Sequence, residues 1–513
     1  MPNSKKAMKS TIPLFKIGLL TLIIGLSTAC QEQLEEVTPQ NALNKNLVLS
    51  DANAAYTLYY GVYSSFRSFH GTLFTLGEMR SDIWVDGLFT ESEDPTPKQY
   101  YTHNISSSNA PAGNWAGFYS LLDRINTVIA LFPQAPIEET RRNQALAEMY
   151  GLRAYVYYTL LKTWGAVPLT TETISQVNAL PDLYRERATP EAIMSQIKSD
   201  LAQSLALFGS TNTFSAKRVY WNRPATLTLT GDVYIWSATH FNGGTADLNK
   251  AKTALEEVKA ISTLGLQANY ADVFDPTKES NNKEHIFSIS YEKNEATMGI
   301  YGNFLVNTTQ AGTLIFDAPP ATPAAVSSVY PFVGGASRVG LSAAMIARLN
   351  DANDKRARVT FRVMYRNAAP YSIAGVMLTK FIGRVDAGAQ LYDNDFPVYR
   401  FADVLLLLAE AKTKLNEDPS AEINLIRQRA YTNPPAFSNG TQQDNLNAIL
   451  DEYLREFIGE GKRWWALRRA GNAYVLANIK PSFIAPGQEY KFLLPITVGM
   501  LNADPKLGQT PGY

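Results

Sequence analysis

Cys30 is the only cysteine in the 513 residues, and its position by itself names a reaction. It stands directly after Leu26-Ser27-Thr28-Ala29, at the end of an apolar run from Ile17 to Leu26 that follows Lys5, Lys6, Lys9 and Lys16. A basic start, a short apolar core and small residues before a cysteine are the parts of a bacterial lipoprotein signal. In such a signal the thiol receives a diacylglyceryl group, and cleavage leaves the lipidated residue as the new N-terminus. The apolar run is too short to span a bilayer, which takes about twenty residues. The expectation is a signal peptide over 1–29 and a membrane anchor on Cys30, each buried methylene of the acyl chains contributing about 0.8 kcal/mol. Other reactive chemistry is sparse. His70, His103, His240 and His285 are the only histidines. No HExxH zinc helix, GxSxG elbow, Walker phosphate loop or GxGxxG fingerprint occurs. The paired carboxylates of a glycosidase, about 5 to 9 Å apart, would be invisible among 47 acidic residues.

Aromatic side chains offer a second chemistry. With 27 Tyr, 23 Phe and 7 Trp they make up 11% of the chain. Tyrosine and tryptophan combine a flat apolar face with a hydrogen-bonding edge, which suits both the stacking of sugar rings and the packing of helices. Composition alone does not separate the two. Lys plus Arg and Asp plus Glu both number 47, so no long-range field favours nucleic acid or an anionic membrane face. With the one cysteine assigned to lipid, the mature chain has no disulfide and no cysteine metal site.

The elements that would hold these residues are mainly helices from about residue 50 to 260. Asp51 caps a helix carrying Tyr56, Tyr59, Tyr60 and Tyr63 at spacings of three and four. A helix from about Asn114 carries Trp115, Phe118, Leu122, Ile125 and Ile129, and another spans Arg141 to Lys162 before Gly165 and Pro168. Thr189-Pro190-Glu191 opens a fourth, and two more run from about Pro224 to Phe241 and from Leu248 to Ser262. Successive helices with short connectors point to hairpins of the tetratricopeptide kind, although no clean 34-residue repeat is visible. Between 265 and 395 the character changes to Gly, Pro, Ser and Asn, with a strand-like alternation at His285 to Tyr291. Helices return around Phe401 to Leu408 and Leu446 to Phe457.

The last 120 residues carry a resemblance. Tyr399-Arg400-Phe401-Ala402-Asp403-Val404-Leu405-Leu406-Leu407-Leu408-Ala409-Glu410-Ala411 resembles the "RYADVLLMYAEA" helix of the RagB/SusD family of outer-membrane nutrient-uptake lipoproteins. Ile423 to Ala430 is similar to that family's "INxVRxRA" helix, and Glu456 to Arg469 to its "ELAFEGHRWFDLRR" segment. Leu493-Leu494-Pro495-Ile496 and the terminal Gln509 to Tyr513 match its end, while Tyr119 to Asn126 and Ala147 to Leu169 resemble its N-terminal helices. Lys462 replaces the usual His and Ala466 the usual Asp. Read physically, these segments are scaffold. Gly459 and Gly461 let a helix end and reverse, Trp464 and Trp465 pack inside, and Arg463, Arg468 and Arg469 pair with acids such as Glu410 or Glu460.

The resemblance implies a mostly α, SusD-like fold of tetratricopeptide-type hairpins with an irregular loop-rich region bearing short strands. The expected organisation is a signal over 1–29, a lipidated tether over 30–50, an N-terminal helical region over 51–264, a loop-rich ligand-facing region over 265–395 and a C-terminal helical region over 396–513. It further implies a non-catalytic, surface-exposed lipoprotein of the outer membrane. Such a protein captures oligosaccharides and delivers them to a SusC-like TonB-dependent transporter, with no cofactor or metal and no nucleic-acid partner. The same scaffold capturing peptides is the alternative, and a surface-anchored glycoside hydrolase a further one. The candidate ligand residues lie in two stretches. Trp84 and Asp86 fall within 77–89, followed by Tyr101, and Tyr301 falls within the Gly-rich stretch 299–316. The competing role for these rings is packing, with Trp84 filling the join between the N-terminal segment and the helical body.

Overall fold

A computed structural model describes residues 45–88, 96–110, 114–173, 179–319, 321–330 and 334–513. Cys30, the signal over 1–29 and residues 30–44 of the tether lie outside the described residues.

Among the described residues, ten helices of eight residues or more form the body: α1 (Ala52–Arg67), α2 (Ala116–Leu131), α3 (Glu139–Trp164), α4 (Pro190–Phe208), α5 (Arg223–His240), α6 (Gly244–Lys259), α7 (Phe401–Lys414), α8 (Ser420–Ala430), α9 (Gln442–Phe457) and α10 (Arg463–Ala470). Their starts follow from local chemistry. Asp51 accepts a hydrogen bond from the Asn53 amide at 2.8 Å at the head of α1. Thr189 Oγ1 accepts from the Ala192 amide with Pro190 in the first turn of α4, and Asn222 caps α5 in the same way. α3 ends where Gly165 takes a φ of +73°, a conformation open to glycine.

Each helix packs on its neighbours in sequence. α2 lies against α1 and α3, α3 against α4, α4 against α5, α5 against α6, and α6 against α7, which carries α8 and α9. This is the expected stack of hairpins, and two glycines show how close it is. A Cβ on Gly151 of α3 would stand 2.1 Å from Trp221 Nε1, and one on Gly231 of α5 would stand 2.5 Å from Leu255 Cγ of α6. The two long chain halves meet in one continuous apolar cluster running from Val48 to Leu507.

The stretch between the helical halves supplies most of the strands, all paired antiparallel: β1 (Trp84–Asp86), β2 (His285–Ile289), β3 (Leu314–Ile315), β4 (Val339–Leu341), β5 (Phe361–Arg366), β6 (Ile373–Leu378), β7 (Arg384–Asp386), β8 (Ala389–Leu391) and β9 (Phe396–Arg400). β1 pairs with β4, β2 with β9, β3–β5–β6 form a small sheet and β7–β8 a hairpin. The β3–β5–β6 sheet has its own apolar cluster, with Leu314, Phe316, Met364 and Met377.

Beneath these strands the C-terminal motifs form a buried lattice of charge. Arg400, with no exposed surface, donates to Glu284 at 2.7 Å, to Glu456 at 2.7 Å and to Glu460 at 2.8 Å. Lys380 adds a bond to Glu460, and Arg356 joins Glu452 and Glu456 to Asp354. Burial works to raise the Glu460 carboxyl, but Arg400 and Lys380 outweigh it and hold it down at about 2. Of the expected pairings, Arg469 meets Glu410 at 2.8 Å. Arg463 instead grips Asp82 with two bonds of 2.8 Å, and Arg468 donates to the Phe492 carbonyl. Trp464 and Trp465 are both buried.

Candidate functional site

Two loop systems converge on a cleft of about 520 Å³. The first begins where α1 gives way to a short helix, His70–Phe74, and a single wide turn, Thr75–Met79. That turn is fixed from below. Gly77 sits so close to Gly461 that a Cβ would fall 1.7 Å from the Gly461 carbonyl oxygen. The buried Glu78 carboxylate accepts from the Gly459 and Gly461 amides at 2.8 and 3.0 Å. Burial pushes Glu78 up to about 7 against those two bonds. The chain then enters β1, and after residue 95 forms the helix Thr96–Tyr101 along the rim.

The second system is the pair of segments around 299–305 and 334–338. They are joined by main-chain bonds: Ala336 N to Gly302 O, Arg338 N to Asn303 O and Ser337 N to Leu305 O, at 3.1, 2.9 and 2.8 Å. Gly335 allows this approach, since a Cβ there would lie 2.3 Å from the Leu305 carbonyl oxygen. β4 follows directly and ties this system to β1 through the Trp84–Leu341, Val85–Gly340 and Asp86–Val339 pairs.

Glycines open the cleft floor at Gly71, Gly299, Gly302 and Gly335. Phe74, Tyr100 and Phe304 border it as buried rings, each 3% exposed, while Thr75, Thr96, Asn303 and Arg338 bring hydroxyl, amide and guanidinium groups. Among the described residues lining it there is no Asp, Glu or His. Such a surface can hold hydroxyls through neutral polar groups and one cation, but those residues offer no acid and base pair. Among the described residues, no cluster of three His, Cys, Asp or Glu side chains is placed to hold a metal ion.

The structure brings the two expected stretches together and places the rings of Trp84, Tyr101 and Tyr301 behind the wall, with Asp86 exposed. Trp84 is 4% exposed, its ring 4.8 Å from that of Phe304. Tyr301 is 3% exposed, stacked at 5.1 Å on Phe381, with its hydroxyl donating to the Gly459 carbonyl. Tyr101 is buried and donates to Asp86, whose other oxygen takes Lys98 Nζ at 2.7 Å. Asp86 reaches the surface; burial pulls its carboxyl upward, and the bonds from Lys98 and Tyr101 outweigh that and hold it below the usual range. In this conformation the rings of Trp84, Tyr101 and Tyr301 therefore position the cleft walls. Thr75, Asn303 and Arg338 were not singled out from the sequence. The glycine punctuation around 299–302 and 334–335 was the available signal, and it marks the segments without marking the side chains.

A second cleft, of about 500 Å³, lies between α2 and the C-terminal segment, with Trp115, Tyr119, Met500 and Leu507 among its lining. Its walls are more apolar than those of the first.

Comparison with known proteins decides the family. Residues 363–513 match the model of the SusD family, and residues 36–234 match one described as starch-binding associating with outer membrane. NanU of B. fragilis is 30% identical, superposes with a TM-score of 0.83, and is matched over 93% of this chain and 100% of its own. The chain belongs to the SusD family. A SusD-like protein of Formosa agariphila is 25% identical over 489 residues, 89% of this chain and 91% of its own length. The starch-binding protein SusD of Bacteroides thetaiotaomicron is 29% identical over 139 residues, 26% of this chain and 24% of its own. The mostly helical SusD-like fold expected from the sequence is the fold observed. Among the described residues of this SusD-family chain, no helix is long and apolar enough to cross a membrane.

Proposed function

We propose that this chain is a glycan-binding lipoprotein of the outer membrane. In this reading Cys30 anchors it, the cleft between the 71–79 and 299–305 segments captures an oligosaccharide without cleaving it, and the bound sugar passes to a SusC-like TonB-dependent transporter. The observation that carries the reading is the cleft itself, a preformed space of about 520 Å³ lined by glycines and by Thr75, Thr96, Asn303 and Arg338 over buried rings, with no carboxylate among its described lining residues. A pocket of this size with a few convergent polar groups is the ordinary form of a small-molecule site. Membership of the SusD family and the starch-binding description attached to one matching model support a carbohydrate as the occupant. Trp84, Tyr101 and Tyr301 serve this site from behind, by fixing the loops that bear the contact groups, and the exposed Asp86 holds Lys98 and Tyr101 beside it.

The test is binding and turnover measured together. The protein is run through native gels containing amylopectin, laminarin, xylan or pectin, and titrated in parallel with a peptide digest. Retardation by at least one polysaccharide, with no reducing ends released on long incubation, is the expected result. Binding confined to the peptides, or release of reducing sugar by the purified protein, would overturn the reading. Recovery of a large barrel protein after crosslinking in whole cells tests the transporter partnership separately.

A further inference from the structure

The tyrosines of α1 are unused by the cleft. Tyr56, Tyr59, Tyr60 and Tyr63 lie at helical spacing on one face, and Tyr220, from the loop before α5, joins them. Tyr56 and Tyr60 are stacked at 6.3 Å with 28° between their planes, and Tyr220 lies 6.1 Å from both Tyr59 and Tyr60. The inner pair is pinned. Tyr59 and Tyr63 both donate to Glu148 Oε2 of α3 at 2.5 Å, and the Trp221 amide donates to the Tyr63 hydroxyl at 3.1 Å. The outer rings are open. Tyr60 is 47% exposed, the only large aromatic so exposed among the described residues, and Tyr56 and Tyr220 are half-buried.

A row of tyrosines held from beneath presents flat faces and hydroxyl edges at little cost in side-chain entropy. Charged groups rim the row: Tyr220 feels Glu295 and Arg141, and Glu295 is tied to Arg67 at the end of α1 at 2.6 Å. Flat ring faces beside hydroxyl and charged edges match the apolar face and hydroxyl rim of a sugar ring. Position adds a second argument. Glu295, which faces Tyr220 and Arg67, precedes the cleft residue Gly299 by four residues, so those two residues lie within about 15 Å of each other.

We propose that the face formed by Tyr56, Tyr60 and Tyr220 is a second carbohydrate-stacking surface, taking the part of a polysaccharide chain that extends out of the cleft. The proposal rests on the glycan reading of the cleft and adds to it a preference for polymers over short oligomers. Two weak sites on one tethered ligand raise its affinity through effective concentration, without new contacts at either.

The test uses the full chain purified in detergent. Native gels containing amylopectin, laminarin or xylan report polymer binding, and calorimetry with a disaccharide of the retarding polymer reports the cleft. Tyr60→Ala combined with Tyr220→Ala is expected to weaken polymer binding about three- to tenfold, the scale of one or two lost ring contacts, while disaccharide affinity stays at the wild-type value. Tyr60→Phe, which keeps the ring, is expected to keep most of the retardation. Equal retardation of the double variant and the wild type overturns the proposal while leaving the cleft intact. Transporter crosslinking lost with polymer binding unchanged also overturns it, assigning the face to a protein. A wild type retarded by no polysaccharide removes the cleft reading and this one with it. If the double variant fails to fold, tetranitromethane nitration of Tyr60 in the wild type decides. Protection by the retarding polymer supports the proposal, and an unchanged rate overturns it.

Discussion

Arg400 and Glu148 show two ways of burying a charge. Arg400 saturates its guanidinium with the carboxylates of Glu284, Glu456 and Glu460 and with the Glu456 carbonyl. Removing it takes away the guanidinium that joins those acids, leaving Lys380 on Glu460, Arg429 on Glu284 and Glu456, and Arg356 on Glu456. Arg400→Met is expected to lose about 3–5 kcal/mol or more of stability, read as a fall in the urea midpoint. Glu148 takes the other course: burial pushes it up to about 7, with the Tyr59, Tyr63 and Gln144 bonds working against that rise. A raised carboxyl favours the folded state in its neutral form. Its contribution is full below about 4.5 and is lost as pH rises through 7, with about 3 kcal/mol as the upper bound. Glu148→Gln should flatten that part of the stability profile, so that the variant gains on the wild type between pH 5 and pH 8. An unchanged slope in urea titrations at both values would contradict this. Neither role was readable from sequence, because a buried acid and a surface acid are spelled alike. Only the motif around Arg400 signalled that something there was fixed.

Helix α4 and the crossing of α3 over Trp221 mark what was and was not legible in the elements. The start of α4 could be read directly, since Thr189 and Pro190 are a cap and a first-turn proline. Thr189→Ala is expected to cost about 1 kcal/mol in chemical denaturation. α3 begins earlier than its apolar rhythm suggested, because Glu138, not a customary cap, accepts the Thr140 and Arg141 amides. α6 begins at Gly244, ahead of the expected Leu248, because its first turn is polar and carries no apolar stripe to read. The crossing depends on Gly151, which reads in sequence as a mere flaw in a helix. Gly151→Ala places a Cβ 2.1 Å from the Trp221 indole nitrogen and is expected to lose about 1–3 kcal/mol, even though alanine is the better helix former. A variant as stable as the wild type would show that the crossing can relax. The cleft segments were legible as loops through their glycines and prolines. Their side chains were not, since which ring faces inward is set by partners such as Gly459 and Phe381, more than a hundred and about eighty residues away in the chain.

Across the whole molecule, opposing titrations shape the response to acid. His70 and His285 are pressed down to about 3 and His240 to about 4, with burial the leading cause in each, and His103 lies well below its usual value for the same reason. Depressed histidines stabilise the fold above about pH 6.5, and that stability is lost as pH falls. Glu78 and Glu148, raised to about 7, and Asp395, raised to about 8 by burial and by Glu279, act in the opposite sense over the same range. Asp200, Glu279 and Asp403, also raised by burial, act with the carboxyls, so the two sets oppose each other between pH 6.5 and 4.5. Below that the raised carboxyls have no more to give, and Glu456 and Glu460, held low by their arginine and lysine neighbours, add to the histidines. The urea midpoint should therefore change little down to about pH 4.5 and fall steeply beneath it; a steep fall already at pH 6 would contradict the balance. The account as a whole stands on the cleft being where sugar is held on a rigid helical platform. The direct measurement is amide hydrogen exchange of the purified protein with and without the polysaccharide that retards it. Slowed exchange in 71–79, 96–101, 299–305 and 334–339 is the result expected. Unchanged exchange in all four segments, with protection appearing instead around Trp115 and Met500, would contradict it.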